Sequence, residues 1–215
     1  MTQSEENYLK AVYHLEGSPK GNVTTNAIAD LMQTKPSSVT DMVKKLSEKG
    51  LLHYKKYQGV SLTESGTKKA LLIIRKHRLW ETFLVEKLDF SWDEVHEVAE
   101  QLEHIKSEKL IDQLDQFLEF PQTDPHGDPI PDKNGEVAEQ HSKLLSLLPI
   151  HSTSVCVGVR DTSASFLNYL DKNKIALGDR IKILGRETFD ESLHVEIGDR
   201  KLHLSNRIAS NLYMK

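Results

Sequence analysis

The chain has 215 residues, 38% of them hydrophobic and 28% charged, with a formal net charge of −4 and a single cysteine. That length supports a sizeable core in one large or two modest domains. No apolar run approaches the roughly 20 residues of a membrane span, the start MTQSEENYLK has no apolar signal region, and the lone Cys156 excludes an internal disulfide, so a soluble cytoplasmic protein is expected.

The net charge conceals a separation along the chain. From Lys35 to Arg78 there are eleven Lys and Arg against three acidic residues, a local balance of +8, whereas Leu79 to Phe120 carries twelve acidic against three basic residues, a balance of −9. Nucleic acid responds to the local patch rather than the total, and the acidic stretch attracts cations.

In chain order, Tyr8, Leu9, Val12, Tyr13 and Leu15 predict an amphipathic helix from about Glu5 to Leu15, closed by GSPKGN. Thr24 and Thr25 can cap a short helix, NAIADLM. Gln33 and Thr34 make a turn, and Pro36 opens PSSVTDMVKKLSEKG, with Val39, Met42, Val43 and Leu46 inward and Gly50 as the stop. Two helices so linked form a helix-turn-helix pattern. Next, LLHYKKYQGVSLTESG reads as a hairpin turning near Gln58 and Gly59, completing the order of a winged helix. Ser37, Ser38, Thr40, Asp41 and Lys44 on the second helix are the candidates for base contact, and Lys35, Lys55, Lys56 and Tyr57 for phosphate contact. The bland alternative is a basic winged surface that binds protein.

The long helix TKKALLIIRKHRLWETFLVEKL is apolar nearly all round, so another helix or subunit must cover it. Ser91 in SWDE is expected to open the next helix through a capping box. In HEVAEQLEH the groups of His96, Glu100, Glu103 and His104 fall within an arc of about 100° on that helix, at roughly 100° per residue. The same stripe also suits an ordinary solvated face. His77 and Glu81, four residues apart on the preceding helix, add two more donors at metal-ligand spacing. Imidazole and carboxylate without thiolate suit Mn(II), Fe(II), Co(II) or Zn(II). The prolines of FPQTDPHGDPIP fix a stiff irregular connection in which His126 reads as a turn residue, and NGEVAEQHSKLLSLLPIHS as a short helix and linker. From Ser152 the runs VCVGV, DRIKILG, LHVEI and RKLHLS, with a small helix at SASFLNYL, read as a compact β-barrel. Cys156 in VCVGV is a buried structural thiol. His141, His151, His194 and His203 read as surface or packing residues.

The motifs ENYLKAVYHLE, PSSVTDMVKKL, YKKYQGVSLTESG, KHRLWETFL, VHEVAEQLEH and DPHGDPIP together make the whole chain resemble the diphtheria toxin repressor family of iron- and manganese-dependent transcriptional repressors. The resemblance implies a mainly α fold with a small β domain. Its parts are a winged helix-turn-helix over 1–70, a helical metal-binding and dimerisation domain over 71–121, a Pro-rich connection over 122–151 and an SH3-like β-barrel over 152–215. It implies a homodimer on double-stranded operator DNA, activated by a divalent ion, with no organic cofactor and no catalysis. One family site maps to His77, Glu81 and His96, helped by the C-terminal domain, where Asp161 is the candidate; the neighbouring site maps to Asn7, Glu100, Glu103 and His104. Glu100, where iron-type members carry cysteine, favours Mn(II) over Fe(II), with Zn(II) or Co(II) as substitutes in vitro. Asn7 stands where Met or Asp is usual, and Lys10, where some manganese sensors have Glu, cannot ligate while protonated. The expected mechanism has crowded carboxylates holding the first helix loosely until an ion cancels their repulsion. Two rivals are a winged regulator answering to an organic effector and a di-metal hydrolase. Against the latter, the chain has no HExxH, nucleophile elbow or phosphate loop.

Overall fold

The structure is a computed structural model that describes residues 1–17, 23–55, 58–139 and 141–215; Lys56 and Tyr57 of the expected wing lie outside the described residues. The chain forms two compact bodies. The first comprises Met1–Trp80, Ala99–Leu114 and Ile130–Val137, the second Glu81–Val98, Asp115–Pro129 and Ala138–Lys215.

In the first body, helix α1 (Gln3–Glu16) opens with a reciprocal capping box between Thr2 and Glu5. Helix α2 (Thr25–Leu31) is capped by Thr24, whose hydroxyl accepts from the Ala27 amide at 3.1 Å. A left-handed Gln33 then turns the chain into α3 (Pro36–Glu48), with Pro36 in its first turn. Val39, Val43 and Leu46, spaced by four and three, are the buried stripe of α3. Strands β1 (Leu52–Lys55) and β2 (Gly59–Leu62) pair antiparallel from Leu52 with Leu62 to Lys55 with Gly59. Leu9, Ile28, Val39, Leu46, Leu52 and Val60 belong to one core, so helix-turn-helix and wing fold as one unit. Helix α4 (Glu64–Leu88) and helix α5 (Val95–Leu102) contribute residues to both bodies.

Three local expectations need correction. Ser91 and Glu94 do bond, hydroxyl to carboxylate at 2.7 Å, but they close a turn and the helix begins at Val95. Sequence reading passed over α6 (Glu108–Phe117), where Ile111, Leu114 and Leu118 are buried at helical spacing and the Ser107 hydroxyl accepts from the Leu110 amide. The segment read as a short helix gives a strand, β3 (Lys143–Leu144), then a single 3-10 turn over Leu145–Leu147. Pairing of Leu144 with Tyr213 there overrides the helix propensity of its leucines.

The second body carries β4 (Thr153–Val159), α7 (Ala164–Lys172), β5 (Arg180–Arg186), β6 (Leu193–Ile197), β7 (Arg200–Leu204), α8 (Asn206–Ala209) and β8 (Leu212–Met214). The sheet runs β3-β8-β4-β5-β6-β7, antiparallel throughout. Its apolar alternation encloses Val159, Leu167, Ile181, Ile183, Leu193 and Val195. Burial pushes the Cys156 thiol up to about 11, which makes it an inert packing group. Among the described residues, no helix is long and apolar enough to cross a membrane.

Candidate metal centre

In the second body, the C-terminal part of α4 brings Glu81, α5 brings His96, and the turn at 124–127 brings Asp124 and His126. One donor atom each of Glu81, Asp124 and His126 lies within 4.8 Å of the others, and all three residues are buried. The Asp124 carboxylate accepts from the backbone amides of His126 at 2.8 Å and Asp128 at 3.0 Å, which shapes the turn. Gly127 completes it at φ +86°, where a Cβ would sit 2.1 Å from the Val157 carbonyl oxygen of β4. The His126 carbonyl accepts from the Val159 amide at 2.9 Å, pinning the turn to that strand.

The ring of His126 is oriented at both nitrogens. Nε2 lies 2.8 Å from the Trp92 carbonyl oxygen, which can only accept, so Nε2 carries hydrogen. Nδ1 consequently faces Glu81 Oε2 at 3.6 Å, and Trp92 stacks on the ring at 12°. A lone pair facing a buried carboxylate requires a positive charge between them, supplied by a proton or by a metal ion. Burial opposes the imidazolium, but Glu81 outweighs it and raises the His126 pKa above its ordinary value. Two carboxylates and one correctly tautomerised imidazole, with no thiolate, fit a hard or borderline divalent ion. His96, whose side chain is 56% exposed, places Nδ1 3.4 Å from Glu81 Oε1 at the edge of this group. Asp161 spends a carboxylate oxygen on the Ser163 amide at 2.9 Å and stands outside the converging group.

The first body holds a different arrangement. Lys10 of α1 donates to both oxygens of Glu103, each at 2.7 Å, and to Glu100. His77 Nδ1 lies 2.7 Å from Glu103 Oε2. Fully buried, Glu103 is opposed by desolvation, yet His77 and Lys10 together hold its pKa below the usual carboxylate range. His104 Nδ1 sits 2.6 Å from Glu6 Oε2, a second link between α1 and the residues after α5. Asn7 lies between Glu6 and Lys10 in sequence, its buried Oδ1 without a hydrogen-bond partner. The carboxylates thus find partners among the chain's own groups, with Lys10 linking α1 to Glu100 and Glu103.

Of the donors expected from sequence, His77 bonds Glu103, which Lys10 also holds, and Glu81 converges with Asp124 and His126 while His96 stands beside it. Sequence reading missed Asp124 and treated His126 as a turn residue alone. Both do shape a turn, and the Asp-x-His spacing followed by a left-handed glycine was the available signal.

On α3, Lys35, Ser37, Ser38, Asp41 and Lys44 are exposed, as is Lys55 on β1. Thr40 is half-buried, its hydroxyl donating to the Pro36 carbonyl at 2.9 Å. The face opposite the buried stripe is therefore polar and accessible.

Profiles described as the iron-dependent repressor N-terminal DNA-binding domain and its metal-binding and dimerisation domain match residues 1–60 and 63–132. A FeoA domain profile matches 143–215. The iron-dependent repressor IdeR of Mycobacterium leprae is 31% identical over 178 residues, covering 80% of this chain and 76% of that protein. The chain belongs to the diphtheria toxin repressor family. An HTH-type regulator MntR of Oceanobacillus iheyensis is 35% identical, covering 55% of this repressor-family chain and 80% of that protein. Among solved structures, a manganese-dependent transcriptional repressor in complex with manganese aligns with a TM-score of 0.87 and 33% identity over 98% of each chain. ScaR with bound zinc aligns at 0.79 and 36% identity, also over 98% of each. These family members are transcriptional regulators and not enzymes.

Proposed function

We propose that this family member is a transcriptional repressor whose operator binding, as a homodimer, is switched on by a divalent transition ion held by Glu81, Asp124 and His126. The observation that carries the reading is the orientation of His126, with Nε2 committed to Trp92 and Nδ1 presented to a buried carboxylate. When bound, the ion supplies the positive charge that lets Glu81 and Asp124 stay ionised while His126 stays neutral. Oxygen-rich ligation favours Mn(II) over Fe(II). Glu81 lies on α4, a helix common to both bodies, so restraint of its C-terminal part is carried by the helix itself. Lys35, Lys44 and Lys55 would take phosphates, and Ser37, Ser38 and Asp41 base edges. Linkage requires that whatever the ion does for DNA affinity, DNA does for ion affinity.

A pool of labelled random duplexes, titrated at fixed salt with Mn(II), Fe(II) or Zn(II) in turn, tests the reading; salt is fixed because phosphate contacts are ionic-strength dependent. Enrichment of one sequence class is expected only with an ion, and His126→Ala should abolish it with the fold retained. Chelator-insensitive enrichment would favour an organic effector instead.

A further inference from the structure

Glu100 and Glu103 leave no place for a metal ion between them as they stand, because the Lys10 ammonium takes it. An ammonium group has three donors, and the three contacts of Lys10 to these carboxylates match them. Glu103 also carries His77 at 2.7 Å, and the His104 ring lies 2.6 Å from Glu6. Two carboxylates against one ammonium leave one net negative charge, where a resident dication would face Lys10 at close range. Asn7 adds only a neutral amide; its buried, unpartnered Oδ1 is an acceptor that the lysine leaves unused.

We propose that Lys10 is a tethered cation replacing a second metal ion in this chain: it permanently ties α1 to Glu100 and Glu103, and the latent site of Asn7, Glu100 and Glu103 accepts an ion only when the ammonium is removed. The tie between α1 and α5 is then independent of metal, and ion dependence rests on one ion per subunit. This count rests on the function proposed above, whereas the latent site rests on the bonds of Lys10 to Glu100 and Glu103. The bonds of Lys10 go to Glu100 and Glu103 and not to Glu81, Asp124 or His126, so its removal changes how many ions bind and leaves the His126 site in place.

The test is equilibrium dialysis of chelator-stripped full-length protein against Mn(II), with metal counted by elemental analysis. Wild type should take one ion per subunit, Lys10→Met two, and Lys10→Arg, which keeps the charge, one. His126→Ala in the wild-type background should take none. Two ions on wild type, one on folded Lys10→Met, or one retained by His126→Ala would each overturn the proposal. Should Lys10→Met fail to fold, the His126→Ala count still decides it. Wild type taking no ion while Lys10→Met takes one would sink the proposed function and leave the latent site standing.

Discussion

Glu5 shows how a single buried carboxylate can be made an asset by its surroundings. Its side chain is 1% exposed, accepts from Lys49 at 2.6 Å, and pairs with Lys45 at 3.0 Å. Hydrogen bonds from Lys49 and Lys45, working against burial, lower its pKa to about 2. Because the folded-state value lies below the unfolded one, this stabilisation is complete above the usual carboxylate range and fades as pH falls toward about 2. Urea unfolding across pH 3 to 7 should show the acid-side loss, and Glu5→Gln should flatten it. Both lysines are roughly half exposed, so solvent screening limits the cost of that variant at neutral pH to about 1–2 kcal/mol. An unchanged acid limb in the variant would show that Glu5 contributes nothing there.

Single turns and helices decide where the donors meet. The turn at 124–127 sits against β4 only because residue 127 lacks a side chain: a Cβ would lie 2.1 Å from the Val157 carbonyl oxygen and 2.4 Å from Gly158 Cα. Left-handed strain alone costs a non-glycine residue about 1–3 kcal/mol, and backbone overlap adds to it. Gly127→Ala should therefore weaken Mn(II) binding at least tenfold in calorimetry while the first body keeps its helical circular dichroism. Wild-type affinity in that variant would mean that the turn does not position His126. Elements of this kind were only partly legible in the sequence. The stripe of α3, the cap at Thr24 and the alternating C-terminal strands follow from periodicity and turn chemistry, which are local. The start of α5, the existence of α6 and strand β3 depended on competing caps and on pairing with a strand about 70 residues away, as Leu144 does with Tyr213.

Across the whole chain, the charge separation in the sequence sets a basic segment that carries α3 apart from an acidic one that carries Glu81, Glu100 and Glu103, while Asp124 and His126 lie beyond it. Which donors cooperate was not legible. Helical spacing places His77 and Glu81 on one face, but it is silent about Lys10, Asp124 and His126, which arrive from sequence-distant segments. We place the switching ion among Glu81, Asp124 and His126. An anomalous difference map at the manganese edge, from crystals of the full chain grown with Mn(II), examines it most directly. A peak within coordination distance of His126 Nδ1, Glu81 and Asp124, with none beside the Lys10 ammonium, is the expected result. A peak among Glu100, Glu103 and His104 alone, with His126 bare, would contradict it.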